Sequence, residues 1–400
     1  MTTFDTDFCV VGGGPGGLAL ALMLVRSGAR VVVVERSASM NREYRGEILQ
    51  PGGQMLLDQL GVLAGARRRG CHVHGRFRLA EKGRSLLDID YRRLAAPYDH
   101  LLSIPQRHVL EELLDQCRAY AGFRYLGGAK AAELVQENGA VRGVRAGEHE
   151  VRAGCVIGAD GRFSKVRRLA GIEGDRIDVF DFDVLWCKLP DPDPEPGVPD
   201  VRIFRDGGNP VIVYRSWPDS VQIGWTLPHR GYREIAARGF AHVKREIMRS
   251  VPPYAGLIER ELTGMRQLSL LDVFAGSARE WTREGLVLIG DSAHTHSPLG
   301  AQGINLALQD AALLHPVLVG SAGRAGLREY ERARRADIDT VMRLQVMQAK
   351  GMLAGRGPAA WLRPKAAGLI NRTPIGDKIL RRIAYGPRPI SVRSDLFVSN

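Results

Sequence analysis

The sequence predicts an α/β protein: a Rossmann-like domain interleaved with a mixed or antiparallel β-sheet domain, followed by a helical C-terminus. Three observations support this fold class. A buried strand, a glycine-rich turn, a helix and a β-branched strand lie within residues 7–35, which is how a doubly wound sheet begins. Segments of alternating apolar and polar residues fill positions 184–227. From residue 286 a buried strand, a glycine loop and a long apolar helix return.

The elements follow in order along the chain. Residues 7–11 and 30–35 are predicted strands around a helix at 16–27, and residues 108–121 have helical periodicity. Further strands are predicted at residues 132–136, 141–146, 150–152, 155–159, 184–189, 201–204, 211–217 and 221–227, with a proline-rich loop at 191–200. Four hundred residues exceed one compact core, so interlocked domains are expected. The predicted bounds are 1–70, 101–175 and 276–335 for the first domain, 71–100 and 176–275 for the second, and 336–400 for a C-terminal helical segment.

The composition is that of an ordinary globular protein, with 44% hydrophobic and 25% charged residues. The net charge of +12 comes from arginines spread along the chain, without the clustered basic and aromatic residues of a nucleic-acid interface. An arginine-rich solvated surface is the favoured interpretation. The alternative is attraction of an anionic partner: a phosphorylated nicotinamide cofactor, an acidic substrate or a membrane surface.

The cysteines and histidines do not form metal-ligand patterns. The five cysteines are scattered, which favours reduced thiols in a cytoplasmic enzyme. His294 and His296 resemble a metal pair, but a hydrogen bond that structures their loop is the favoured interpretation, and no metal site is expected. Residues 9–25 are apolar but contain five glycines and follow acidic residues, so a strand and helix are preferred to a signal peptide or membrane span.

The glycine turn is the first motif with chemical meaning. It reads Gly12-Gly13-Gly14-Pro15-Gly16-Gly17, a GxGxxG between a strand and a helix. Gly12 allows the tight turn, Gly14 lets a pyrophosphate approach the backbone, and Gly17 lets helix and strand pack closely. Glu35 ends the next strand, where it can accept hydrogen bonds from ribose hydroxyls. This arrangement predicts a dinucleotide site but does not separate FAD from NAD(P).

A second segment discriminates between these cofactors. Residues 286–291 form a buried strand that ends at Asp291, on the edge of the sheet where ligands of α/β proteins bind. A carboxylate there can bind a polyol chain such as ribityl. The glycine loop 294–303 leads into a helix whose N-terminus can stabilise negative charge on the N1–C2=O edge of a reduced isoalloxazine. The segment therefore predicts FAD.

Three motifs carry a family resemblance. The segment GDSAHTHSPLGAQGINLALQDA resembles the GD motif of the single-component FAD aromatic hydroxylases, the para-hydroxybenzoate hydroxylase family. Asp160 and Gly161, in CVIGADGRFSKVRR, resemble the family's DG motif, whose Asp lies near the pyrophosphate in a segment linked to FAD and nicotinamide binding. Arg45 and the pair Gln106-Arg107 match its flavin-contacting positions. The resemblance runs from the N-terminus to about residue 335.

The resemblance implies a GR2-type FAD-binding domain and a monooxygenase reaction. NADPH or NADH, bound transiently without a second Rossmann domain, would reduce FAD. The flavin would then pass oxygen from O2, through a C4a-hydroperoxide, to an aromatic or phenolic substrate. A polycyclic aromatic compound is one candidate for this substrate. The residues assigned to the cofactor are Gly12, Gly14, Pro15, Gly16, Gly17, Glu35, Arg36, Arg45, Gln106, Arg107, Asp160, Gly290, Asp291, Pro298, Gly300, Gly303, Ile304 and Asn305.

Candidate catalytic residues are less well defined by the sequence. Pro298, in the small-residue loop that leaves room for flavin movement, and Tyr214, Arg215 and His229, in the expected substrate sheet, are the candidates. Core packing is the default for the tryptophans of that sheet, with substrate contact as the alternative: Trp186, Trp217 and Trp225.

Other functions stay open at this point. An FAD-dependent reductase or dehydroxylase of the same fold is one alternative, and a catalytically silent FAD-binding accessory protein is the least favoured. The basic C-terminal helices admit a membrane-associated quinone-pathway hydroxylase, although membrane association is not the favoured expectation. A cytoplasmic monomer or homodimer is expected.

Overall fold

Two large sheets organise the chain in a computed structural model. It describes residues 1–40, 47–81, 83–178, 180, 182–192, 200–205, 209–320, 323–353 and 373–398. The helices are α1 Pro15–Arg26, α2 Pro51–Gln59, α3 Leu63–Arg68, α4 Gln106–Arg118, α5 Lys165–Leu169, α6 Tyr232–Ala237, α7 Phe240–Ser250, α8 Ala255–Glu261, α9 Gly303–Val319, α10 Gly323–Leu353 and α11 Pro374–Tyr385.

The first sheet has eight strands and a parallel centre. Its strands are β1 Thr2–Val11, β2 Val31–Glu35, β8 Phe123–Gly127, β9 Ala131–Glu137, β10 Ala140–Ala146, β11 His149–Gly158, β19 Thr282–Arg283 and β20 Leu286–Leu288. The order is β19-β20-β11-β1-β2-β8, and β10 and β9 extend from β11 as an antiparallel branch. Helices α1, α4 and α9 bury apolar side chains against it. Because β20, β11, β1 and β2 run parallel, their carboxyl ends meet at one edge.

The second sheet has seven strands in the order β17-β13-β16-β15-β14-β5-β6. Its strands are β5 Arg76–Glu81, β6 Arg84–Asp90, β13 Phe182–Pro190, β14 Val201–Phe204, β15 Val211–Ser216, β16 Ser220–Pro228 and β17 Ser269–Leu271. The described residues also form two three-stranded sheets. One consists of β3 Ile48–Leu49, β7 Leu101–Ser103 and β4 His72–His74, and the other of β12 Gly174–Ile177, β18 Ala275–Ala278 and β21 His294–Thr295.

The two faces of the seven-stranded sheet have different neighbours. We call inner face the one whose side chains pack with Leu299 and Ala301; it carries Val184, Trp186 and Tyr214. We call outer face the one that packs against α7 and α8; it carries Leu185, Val213, Ile223 and Trp225. Both sets come from the same strands because successive side chains of a strand point to opposite sides.

Some sequence-based boundaries differ from the structure. The strands predicted at 150–152 and 155–159 are one strand, β11, since Ala153 pairs with Thr6 of β1 and Cys155 with Phe8 in one continuous strand. Helix α10 runs without interruption across the domain boundary predicted at 335/336, and the predicted domain bounds stay a prediction.

No helix of the described chain combines the length and apolarity needed to cross a membrane.

Candidate active site

The glycine turn follows β1 at the carboxyl edge of the parallel sheet. Gly12 has a φ of +117°, and a Cβ there would lie 2.3 Å from the carbonyl oxygen of Ala159. A Cβ on Gly17 would lie 2.1 Å from the carbonyl oxygen of Gly12. Only glycine fits either position, so the tight turn and the close helix–strand contact exist as predicted.

The space beside Gly14 is open. No described atom lies within 4 Å of a Cβ built on Gly14, and no side chain of the described residues caps the N-terminus of α1. Pro15 is the first residue of this helix and has no N–H to satisfy. Free N–H groups and a positive helix end next to open space fit the pyrophosphate of FAD. Gly16 instead faces Ala307 of α9, so its role is contact between two helices.

Glu35 holds the turn itself. Its carboxylate accepts hydrogen bonds from the backbone N–H groups of Gly13 and Ser37, both at 2.8 Å. The side chain is buried at the end of β2, whereas the neighbouring Arg36 is exposed. Glu35 therefore lies where a ribose hydroxyl is expected but also fixes the backbone of the glycine turn.

The DG motif holds the start of α5 through its carboxylate. The carboxylate of Asp160 accepts hydrogen bonds from Lys165 N at 2.6 Å, Val166 N at 3.0 Å and the Ser164 hydroxyl at 2.5 Å. The hydroxyl of Ser292, beside the GD motif, accepts a hydrogen bond from Gly161 N at 2.9 Å. The DG and GD motifs are therefore physically joined at the sheet edge.

The GD motif begins a segment that we call the flavin loop, residues 290–303. Gly290 has a φ of +58°, so the chain turns sharply after β20. Asp291 forms an ion pair with Arg162 at 3.2 Å, and its side chain is 30% exposed. A carboxylate that has one cationic partner and stays accessible can also accept a hydrogen bond from a hydroxyl group of a polyol chain.

A buried charge network lies behind this loop. Asp310 of α9 accepts hydrogen bonds from Gly290 N at 2.7 Å and from Arg334 Nε at 2.6 Å, and its Oδ2 lies 2.7 Å from Nε2 of His294. His294 and Arg334 hold the pKa of the Asp310 carboxyl below its usual range despite its burial. The network thus fixes the GD turn to α9 and α10.

The two loop histidines belong to the same network. Nδ1 of His294 lies 3.1 Å from Nε2 of His296, which confirms the predicted loop-structuring hydrogen bond. Burial lowers the pKa of His296 to about 3, and the neighbouring His294 contributes, so His296 is neutral near pH 7. Sequence reasoning missed Asp310, although it lies inside the GD segment, and missed Arg334, which no motif marks.

Amide side chains hold the rest of the flavin loop. Gln345 of α10 donates hydrogen bonds to the carbonyl oxygens of Ser297 at 3.1 Å and Leu299 at 2.8 Å. Gln50 donates to the carbonyl oxygen of Gly300 at 2.7 Å. Gly300 has a left-handed φ of +74°, and the half-buried Pro298 lies between the two positions that Gln345 anchors. None of these glutamines was predicted from the sequence.

The loop ends at the N-terminus of α9. Gly303 is the first residue of this helix, followed by Ile304 and Asn305. Asn305 is fully buried, and its Oδ1 has no hydrogen-bond partner within the described residues. An unpaired buried amide oxygen beside an uncapped helix end is a polar group that a ligand can satisfy.

The remaining cofactor candidates lie outside the glycine turn and the flavin loop. Gln106 and Arg107 begin α4, with Gln106 half-buried and Arg107 exposed. Arg45 lies outside the described residues.

The catalytic candidates of the second sheet do not lie together. Tyr214 is on the inner face and its hydroxyl accepts a hydrogen bond from Glu47 N at 3.2 Å. Arg215 points to the other side of β15 and pairs with Asp191 at 2.9 Å. His229 follows the end of β16, where its Nδ1 lies 3.0 Å from Asp183. Only Tyr214 of these three is on the face that packs with the flavin loop.

Comparison with known proteins identifies the class of this molecule. The chain belongs to the FAD binding domain family, which matches residues 5–345. It is 59% identical over 401 residues to a 6-methylpretetramide 4-monooxygenase of Streptomyces rimosus, across 98% of this chain and 95% of that protein. It is 28% identical to a protoasukamycin 4-monooxygenase of Streptomyces nodosus subsp. asukaensis, across 90% of this chain and 91% of the relative.

A solved structure supports the fold. The p-nitrophenol 4-monooxygenase of Pseudomonas putida superimposes with a TM-score of 0.82 at 23% identity, across 97% of this chain and 100% of that one. The predicted fold class and the resemblance to single-component FAD aromatic hydroxylases are confirmed. The chain is an FAD-dependent monooxygenase.

Proposed function

We propose that this monooxygenase uses NADPH or NADH and O2 to hydroxylate a polycyclic phenol of the 6-methylpretetramide type. The substrate would lie between the inner face of the seven-stranded sheet and the flavin loop. The 59% identity to the Streptomyces rimosus enzyme over nearly its whole length supports this substrate class.

One structural observation supports this proposed location of the substrate. The buried cluster of the inner face is rich in aromatic rings and includes two residues of the flavin loop, Leu299 and Ala301. Its rings are those of Tyr91, Phe180, Phe182, Trp186 and Tyr214. Flat aromatic side chains give a large apolar contact with a flat polycyclic ligand, and the loop would bring the flavin to the same place.

The residues of the chain have distinct proposed roles. The glycine turn and Glu35 would bind the adenosine diphosphate half of FAD, and Asp291 with the N-terminus of α9 would bind its flavin half. Bound FAD supplies the electron transfer and the activation of O2. Burial raises the pKa of Tyr214 far above its usual 10, so this hydroxyl can hydrogen-bond to a substrate but stays protonated.

The reaction is tested with the purified holoenzyme, 6-methylpretetramide and ¹⁸O2. We expect NADPH or NADH oxidation that depends on the phenol, and a product that gains one ¹⁸O atom by mass spectrometry. Substrate reduced under anaerobic conditions would instead support the reductase or dehydroxylase. No phenol-dependent oxidation would support the silent accessory protein. The cytoplasmic location, the monomeric or homodimeric state and the absence of nucleic-acid partners stay predictions.

A further inference from the structure

The strand register decides which side chains share the inner face. Trp186 and Lys188 of β13 are two residues apart and point to the same side. Lys188 is paired with Gln222 of β16, which is paired in turn with Tyr214 of β15. Since paired residues of neighbouring antiparallel strands lie on one face, these four side chains form a polar and aromatic patch on the inner face.

Trp186 has an unused donor in this patch. Its side chain is 5% exposed, and its indole Nε1 has no hydrogen-bond partner within the part of the chain that the structure describes. Its ring lies edge-on to that of Tyr214, with 6.3 Å between the centroids. Buried indole N–H groups normally find a partner, so this one has an unmet hydrogen-bonding capacity.

The ammonium group of Lys188 also has unused hydrogen-bonding capacity. Its Nζ lies 3.4 and 3.5 Å from the two oxygens of Glu47, at the outer limit of a hydrogen bond. Glu47 is buried and also accepts a hydrogen bond from the hydroxyl of Ser216. One third of the Lys188 side chain is accessible. Three N–H groups share two distant acceptors, so at least one is available to another oxygen.

We propose that Trp186 Nε1 and Lys188 Nζ donate hydrogen bonds to oxygen substituents of the polycyclic substrate and thereby determine which polycycles are accepted. Glu47 positions the ammonium group without touching the substrate. This inference rests on the proposed function. It assigns the selection of oxygenated substrates to two residues of β13, a strand that sequence motifs did not mark.

The same sheet provides a matched control. Trp225 of β16 is also buried, at 2% exposed, and its Nε1 also has no partner within the described ranges. It lies on the outer face against α7 and α8. Trp186→Phe and Trp225→Phe therefore make the same chemical change on opposite faces of one sheet.

The test compares holoenzyme variants on 6-methylpretetramide and on an analogue that lacks one ring oxygen. For Trp186→Phe we expect KM to rise about fivefold on the full substrate, since a neutral hydrogen bond is lost. For Lys188→Met we expect a rise of about tenfold or more, since a charged donor is lost, and Lys188→Arg should restore most of it. When the analogue lacks the oxygen that the altered residue contacts, the variant and the wild type should have the same KM for that analogue. Trp225→Phe should behave as wild type.

Two results would overturn the inference. One is equal KM and equal selectivity of Trp186→Phe, Lys188→Met and wild type while wild type hydroxylates the substrate. The other is equal loss in Trp186→Phe and Trp225→Phe, which would indicate a packing effect. Substrate binding, followed by flavin fluorescence without turnover, gives a second readout for each variant. Failure of wild type to hydroxylate any polycycle would instead refute the proposed function.

Discussion

The glycine turn and the flavin loop, to which we assign the two halves of one cofactor, are built differently. In the turn, residues 12–17, the contacts that require glycine are with backbone atoms: those of Gly12 within the turn, of Ala159 after β11 and of Ala307 in α9. The flavin loop, residues 290–303, is held by side chains from distant positions: Gln50, Asp310, Arg334 and Gln345.

This difference shows where each site is vulnerable. In the turn, an added methyl group meets backbone atoms that cannot move away. In the loop, a lost charge leaves other buried charges without a partner. The first site is sensitive to volume and the second to electrostatics, and the two can be separated by experiment.

The largest expected effect is at Gly17. A valine there would place Cβ 2.1 Å from the carbonyl oxygen of Gly12, so we expect a loss of about 3 kcal/mol or more in the free energy of unfolding, and little folded protein. Circular dichroism and urea denaturation measure it. A stable Gly17→Val protein would mean that the turn is not limited by volume.

Gly14→Val is the control for this effect. The open space beside Gly14 accepts the side chain, so the fold should persist while the pyrophosphate is blocked. The ratio of FAD to protein, from absorbance, should fall close to zero. A Gly14→Val protein that purifies with full FAD contradicts the proposed position of the cofactor.

A smaller but still large effect is expected at Asp310. Asp310→Asn would remove the nearer of the two carboxylates paired with the fully buried Arg334, while Asp337 would remain at 3.4 Å. We therefore expect a loss of about 3 kcal/mol in the free energy of unfolding, the low end of the cost of breaking a buried ion pair. Urea denaturation and FAD content report it. Glu234→Gln, which removes the exposed partner of Arg238, should leave the midpoint almost unchanged. Equal effects of both substitutions would show that the buried network does not anchor the loop.

The smallest effect is a pH dependence from His296. An imidazole of the unfolded chain takes up its proton near pH 6.5, whereas folded His296 does so only near pH 3, because burial lowers its pKa. Between these values the unfolded state binds more protons, so the free energy of unfolding falls as the pH falls, by up to about 1.4 kcal/mol per pH unit. His296→Leu should flatten the profile between pH 6.5 and 4.5.

His315 serves as an internal reference in the His296→Leu variant. Burial also lowers the pKa of His315, to about 4, and its contribution to the pH profile remains when His296 is replaced. Urea denaturation at several pH values separates the two contributions. An unchanged slope in His296→Leu would show that His296 does not resist protonation in the folded state.

The sequence predicted the fold class, and many element boundaries are close to the structure, although β1 begins at Thr2 and not at the predicted Asp7. Strands β2, β14 and β16 and helix α1 lie within one residue of the predicted positions, because β-branched runs and glycine boundaries specify them locally. The merging of two predicted strands into β11 was missed, since Ala153 pairs with Thr6 of β1, which lies 147 residues earlier in the chain.

The site was predicted in part. GxGxxG, DG and GD motifs marked the sheet edge because their glycines and carboxylates have fixed spacings. The pattern of β15 showed a strand but not its orientation, so Tyr214 and Arg215 were considered together although they point to opposite faces. Gln345 and Arg334 carry no local signal and become visible only through their partners in the loop.

The sequence by itself determined that the cofactor is FAD, since the glycine turn and the DG and GD motifs are contiguous segments that can be recognised without the fold. The tertiary structure decided what holds the flavin loop and which side of the second sheet faces it. Both depend on pairings between residues tens to hundreds of positions apart, and a shift of one residue in strand register would turn Trp186 and Lys188 to the outer face.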